Sequence, residues 1–120
     1  MLTGWSTMLA QGGKERAGSM AKKISVAAKA ELSEWARGFA LLSDPTRLGI
    51  LKMLAAGARN VTALCTALGL KQPTISHHLG LLRMGRLVTG TRQGKSVVYT
   101  TDKKNLKELA AAIAKLTPAK

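Results

Sequence analysis

The sequence predicts an α+β, mostly helical fold in one small domain, on three observations. Its 120 residues leave room for a single compact core. Apolar residues recur at spacings of three and four along most of the chain, the period of helices that bury one face. After Gly85 the period changes to two, in the β-branched segments Leu87–Thr91 and Ser96–Thr101 that flank Arg92-Gln93-Gly94-Lys95.

Each element has its own signal. Residues 1–28, with Gly4, Gly12, Gly13 and Gly18 and no sustained period, are expected to form a disordered tail. Met20, ahead of Ala21-Lys22-Lys23, is an alternative start within it. The folded domain is expected over 29–117. From Glu31 onward Leu32, Trp35, Phe39 and Leu42 mark a first helix. Asp44 is a good N-cap, and Pro45 fits the first helical position, where its missing N–H costs nothing. The second helix should bury Leu48, Leu51 and Leu54, with Ile50 flanking, and end at Gly57. Asn60 caps a short third helix with Val61, Leu64 and Leu68 inward. Gly69 breaks the chain, and a fourth helix over Gln72–Met84 turns Ile75, Leu79 and Leu82 inward. A hairpin follows, with Gly94 available for positive φ. Leu106, Leu109, Ala110, Ile113 and Leu116 then mark a last helix from Lys103 to Leu116. This order is that of a winged helix-turn-helix with an added helix at each end.

The charge points to an anionic partner. Nineteen Lys and Arg against six Asp and Glu give a formal net charge of +13. From residue 45 to residue 101 there is no carboxylate side chain, whereas Arg47, Lys52, Arg59, Lys71, Arg83, Arg86, Arg92 and Lys95 fall inside that span. An excess spread over the folded segment predicts a basic surface, and nucleic acid is the partner it suits. Aromatics make up only 3%, which leaves few platforms for stacking single-stranded bases, so duplex DNA is favoured. The single cysteine, Cys65, excludes an intramolecular disulfide and any multi-cysteine zinc site. No run approaches the roughly 18 apolar residues of a membrane span, and no basic amphipathic anchor occurs. The expected setting is the cytoplasm, with no membrane partner.

Within Val61–Leu82, the apolar positions lock two helices together and free one face of the second. Lys71 stands at its start, and Gln72, Thr74, Ser76 and His77 stand on that face, with His78 nearer the flank. Short polar side chains near a helix N-terminus suit approach to base edges in a major groove, where unpaired N–H groups also favour phosphate. The hairpin cations Arg92 and Lys95 suit phosphates or the minor groove beside it.

Ser43-Asp44-Pro45-Thr46-Arg47-Leu48, Gln72-Pro73-Thr74-Ile75-Ser76-His77-His78-Leu79 and Leu87-Val88 resemble the signatures of the ArsR/SmtB winged-helix repressors, over about residues 31–117. The resemblance implies a homodimeric regulator of transcription on a palindromic operator, released by an effector. It implies DNA contacts from Gln72, Thr74, Ser76 and His77, with Arg92, Gln93, Gly94 and Lys95 at the wing tip. It also implies a dimer built by the first and last helices, which suits the apolar positions Leu32, Trp35, Phe39, Leu106, Leu109, Ile113 and Leu116.

The chain departs from that family at its metal sites. Asn60 and Thr62 match positions where metal-sensing members carry cysteines, and neither is a thiolate ligand. Residues 103–120 hold no histidine and one acid, Glu108, where other members place carboxylates and histidines. His77 and His78 are adjacent, about 100° apart on a helix, and do not chelate together. No metal and no cofactor is expected. Cys65 reads as a small buried thiol, with a single-cysteine redox switch as the alternative. Arg86 stands where many members carry Gly, so the fourth helix is expected to end early. A charge-driven architectural nucleic-acid-binding protein is the second functional reading. An enzyme has only Cys65 with His77 or His78 to offer, and none is expected.

Overall fold

The computed structural model describes residues 24–118. Helix α1 spans Val26–Leu42, α2 Pro45–Ala55, strand β1 Arg59–Asn60, α3 Val61–Leu68, α4 Gln72–Met84, β2 Val88–Gln93, β3 Ser96–Thr101 and α5 Lys103–Lys115. Most of the expected tail lies outside the described residues. Val26–Ala28, assigned to it by composition, are already helical, because Ser25 Oγ accepts from the Ala28 N–H at 3.1 Å and the alanines that follow favour helix. The compact unit that holds the core begins at Trp35, within α1.

The helix ends follow from local chemistry. Asp44 caps α2 by accepting from the Arg47 N–H at 3.0 Å, and Pro45 occupies its first turn. Asn60 caps α3 by accepting from the Ala63 N–H at 2.8 Å. Gly69 closes α3 at φ 65°, in the left-handed region where a side chain is strained. Asp102 caps α5 through the Asn105 N–H at 3.1 Å.

Ile50, Leu54, Leu64, Ile75, Leu79, Leu82, Leu87, Val88 and Leu109 form the buried core, with Phe39, Leu41, Leu42, Leu68, Tyr99 and Leu106 packed against it. One expectation reverses here. Leu48 is 50% exposed while Ile50 is fully buried. The buried stripe of α2 runs through Ile50, Leu51 and Leu54, and Leu48 lies about 200° round the helix from Ile50.

The sheet has the order β1-β3-β2, antiparallel throughout. Its third strand, β1, pairs Arg59 with Tyr99 and Asn60 with Val98. Two residues carry no period, so sequence pattern alone does not reveal it. Gln93 pairs with Ser96 around a two-residue loop whose first residue, Gly94, has φ 62°. Glycine at that place with positive φ matches a type II′ hairpin turn.

The exit from α4 explains an oddity of sequence. The Arg86 N–H donates to Arg83 O at 3.0 Å and the Leu87 N–H to Leu82 O at 2.9 Å, the bond pair of a Schellman motif, with Arg86 at φ 61°. Glycine would be the relaxed choice at Arg86, yet it stands one residue earlier, at Gly85. There the need is for space: a Cβ at Gly85 would run into the Leu41 side chain. The glycine serves packing, and the arginine takes the left-handed turn.

Candidate nucleic-acid interface

Helix α4 presents two unlike faces. Ile75, Leu79 and Leu82 are buried to 0–1% exposure against the core. Gln72, Thr74, Ser76 and His77 are exposed, as is Lys71 at the N-cap position. These polar side chains sit together because 3.6 residues per turn bring the intervening apolar positions onto the opposite side.

The start of α4 is open. Lys71 makes no side-chain capping hydrogen bond, and the first turn holds no acid. Pro73 has no N–H to satisfy, whereas the N–H groups of Gln72 and Thr74 fall in a first turn that offers no intrahelical acceptor. A cation beside the positive end of a helix dipole is locally unfavourable, but both attract an anion.

His78 takes a different course from its neighbour. It is half-buried, its Nδ1 lying 3.1 Å from Nη1 of Arg47 and 3.9 Å from Oδ2 of Asp44. The Arg47 Nε donates in addition to Leu41 O, at 2.7 Å. The His77 and His78 rings meet edge to face with centroids 5.4 Å apart. The Arg47 N–H, donated to Asp44, holds that carboxyl below the usual carboxylate range, opposed by partial desolvation and aided by the charge of Arg47.

The second group of expected residues lies on the hairpin. Arg92, Gln93, Gly94 and Lys95 are all exposed. Arg92 and Gln93 are not loop residues, because they continue β2 opposite Val97 and Ser96, so the turn itself is Gly94-Lys95. As neighbours on a strand they point to opposite faces.

Among the residues expected at a dimer contact, Ile113 and Leu116 are 52% and 64% exposed, and Leu32 is 45% exposed. Trp35, Phe39 and Leu106 are half-buried. Leu109, expected there too, is placed differently from the others. It is 8% exposed and belongs to the core of its own chain, packed so closely on Gly38 that a Cβ there would approach its side chain to 2.6 Å. Cys65 is half-buried beside the core, and its carbonyl accepts from the Leu70 N–H at 3.1 Å. Among the described residues no three His, Cys, Asp or Glu side chains gather as a metal site. No helix of the described residues is long and apolar enough to cross a membrane.

Residues 44–89 match the model of the bacterial regulatory proteins of the arsR family. The chain is 50% identical over 62 residues to the arsenical resistance operon repressor of Escherichia coli strain K12, covering 51% of this chain and 53% of that protein. It is 37% identical over 79 residues to an HTH-type transcriptional regulator of Methanocaldococcus jannaschii, 65% of this chain and 89% of that one. The chain belongs to the arsR family. A homodimeric winged helix-turn-helix DNA-binding domain from Mycobacterium bovis has the same architecture, with a TM-score of 0.66 at 34% identity, over 77% of this chain and 85% of that one. This arsR-family chain spans about half the length of several of the curated relatives it matches. The matched segment runs from the cap of α2 to the start of β2 and so contains α4 whole.

Proposed function

We propose that this arsR-family protein is a sequence-specific, DNA-binding repressor of transcription that works as a homodimer on a palindromic operator. The observation that carries the reading is the exposed Gln72, Thr74, Ser76 and His77 face of a helix whose other face is locked into the core. Each copy inserts α4 into a major groove, with the paired helices about 34 Å apart, one turn of the duplex. Lys71 and the open first turn take a backbone phosphate, and Ser76 and His77 read base edges. Arg92 and Lys95 hold phosphates beside the groove. Ile113 and Leu116 supply exposed apolar area for the second copy. An operator so occupied is closed to the polymerase.

The names of the relatives support regulation of transcription rather than catalysis. The competing reading, a coat of charge on any nucleic acid, has the net charge of +13 in its favour. Selection of bound duplexes from a randomised pool separates the two. A sequence-reading dimer enriches a palindromic motif and binds it about 1,000-fold or more tighter than a scrambled duplex at equal salt. A charge-driven protein enriches none, and its affinity falls with salt by about 0.9 in log K per phosphate for every duplex alike.

A further inference from the structure

Burial of Ile75, Leu79 and Leu82 fixes which face of α4 turns inward, and a directional hydrogen bond can set its azimuth more finely. The groups proposed to read bases extend over little more than one turn, so a small rotation about the helix axis would misalign them all. Arg47 supplies a directional contact. Its guanidinium joins three elements: Nε donates to Leu41 O at the end of α1, Nη1 lies against His78 Nδ1 in the middle of α4, and its own backbone starts α2. Arginine has donors only, so in this contact Nδ1 of His78 is the acceptor, which in a neutral ring puts the proton on Nε2. His77 follows His78 round the helix by about 100°, and Ser76 by about 200°. Holding His78 at a fixed azimuth therefore holds the reading side chains at theirs.

We propose that Arg47 is a specificity-determining positioning residue, which aims α4 through His78 without touching DNA. The inference rests on the DNA-reading function proposed above. It requires the planar fork: a lysine ammonium is one compact point and does not span the positions of Nε and Nη1. It also requires an acceptor on α4, which an asparagine carbonyl at position 78 supplies and a leucine does not.

The test uses the full-length protein with two probes, the duplex that the wild type enriches from a randomised pool and its scrambled counterpart. Binding is titrated against salt for Arg47→Met, Arg47→Lys, His78→Leu and His78→Asn, with thermal melting to establish that each is folded. Arg47→Met, Arg47→Lys and His78→Leu are expected to lower the selected-to-scrambled affinity ratio about tenfold, the scale of one misaligned base contact, with scrambled-duplex affinity and salt slope at wild-type values. His78→Asn is expected to keep the ratio. An unchanged ratio in the three disruptive variants overturns the proposal. So does equal weakening on both probes with the slope reduced by about 0.9, because that is the signature of an arginine on a phosphate. Should Arg47 variants melt too low to assay, the His78→Leu and His78→Asn pair decides by itself. A wild type that enriches no duplex overturns the proposed function, and this inference with it.

Discussion

Helices α3 and α4 are neighbours in the chain and pack on each other, yet they begin in opposite ways. The first N–H groups of α3 are met by Asn60, just as Asp44 and Asp102 meet those of α2 and α5. At the start of α4 a lysine stands in the capping position and no side chain turns back. A chain that caps its other four helix starts with Ser, Asp or Asn has the means to cap this one too. The difference separates a helix built for support from one whose N-terminus stays available to an anion, at some cost in local stability.

The contrast is sharpened most by cutting into the inner face of α4. Ile75→Ala removes a fully buried side chain and is expected to cost about 2–5 kcal/mol, read as a fall in the denaturant midpoint at constant slope. Ser76→Ala, one residue on and exposed, should leave that midpoint within about 0.5 kcal/mol of wild type. It should instead lose about 1–3 kcal/mol of discrimination between selected and scrambled duplex. Equal effects of the two on stability would erase the distinction between the faces.

Exchanging the caps tests the comparison directly. Asn60→Ala is expected to destabilise by about 1 kcal/mol. Lys71→Ser, which adds a cap and removes a cation from a positive helix end, is expected to stabilise by about 0.5–1 kcal/mol while weakening every duplex and reducing the salt slope by about 0.9. A Lys71→Ser protein that gains stability and keeps its slope would show that the open start does nothing for DNA. At the other end of α4, Arg86→Gly should relax the left-handed residue and raise stability by about 0.5–1 kcal/mol, measured by thermal melting.

The smallest effect concerns pH. The carboxyl of Asp44 titrates below its ordinary range in the folded chain, so its contribution is present above the unfolded value and disappears as pH falls through the folded one. Melting followed from about pH 6 down to about pH 3 should show Asp44→Asn losing less stability on acidification than the wild type. An equal loss in the two proteins would assign the acid sensitivity to other groups.

Much of this arrangement is legible from residue order. The limits of α4, its inward Ile75, Leu79 and Leu82, the caps Asp44 and Asn60, and the hairpin about Gly94 are all short-range: each depends on residues within a turn or two of one another. Where the reading fails, a partner distant in sequence decides. Strand β1 exists because β3, some forty residues later, offers an edge to pair with. Leu48 yields to Ile50 because the direction of the core is set by α3, α4 and the sheet, and periodicity in α2 is compatible with either neighbour. Leu109 packs tightly against Gly38, a close approach that no local pattern announces.

By itself, then, the sequence determined which segments are helical, where α2 to α5 start, that the chain is strongly cationic, and which face of α4 is polar. Helix period, capping and charge are properties of neighbouring residues and survive without tertiary contacts. Only the folded chain decided that Gly85 stands tight against Leu41 and that Arg86 takes the left-handed place of the Schellman turn. It alone set His78, which helix period already placed to the flank of His77, against Arg47. Those outcomes depend on close packing and hydrogen-bond direction between elements, which come into being only when distant parts of the chain meet.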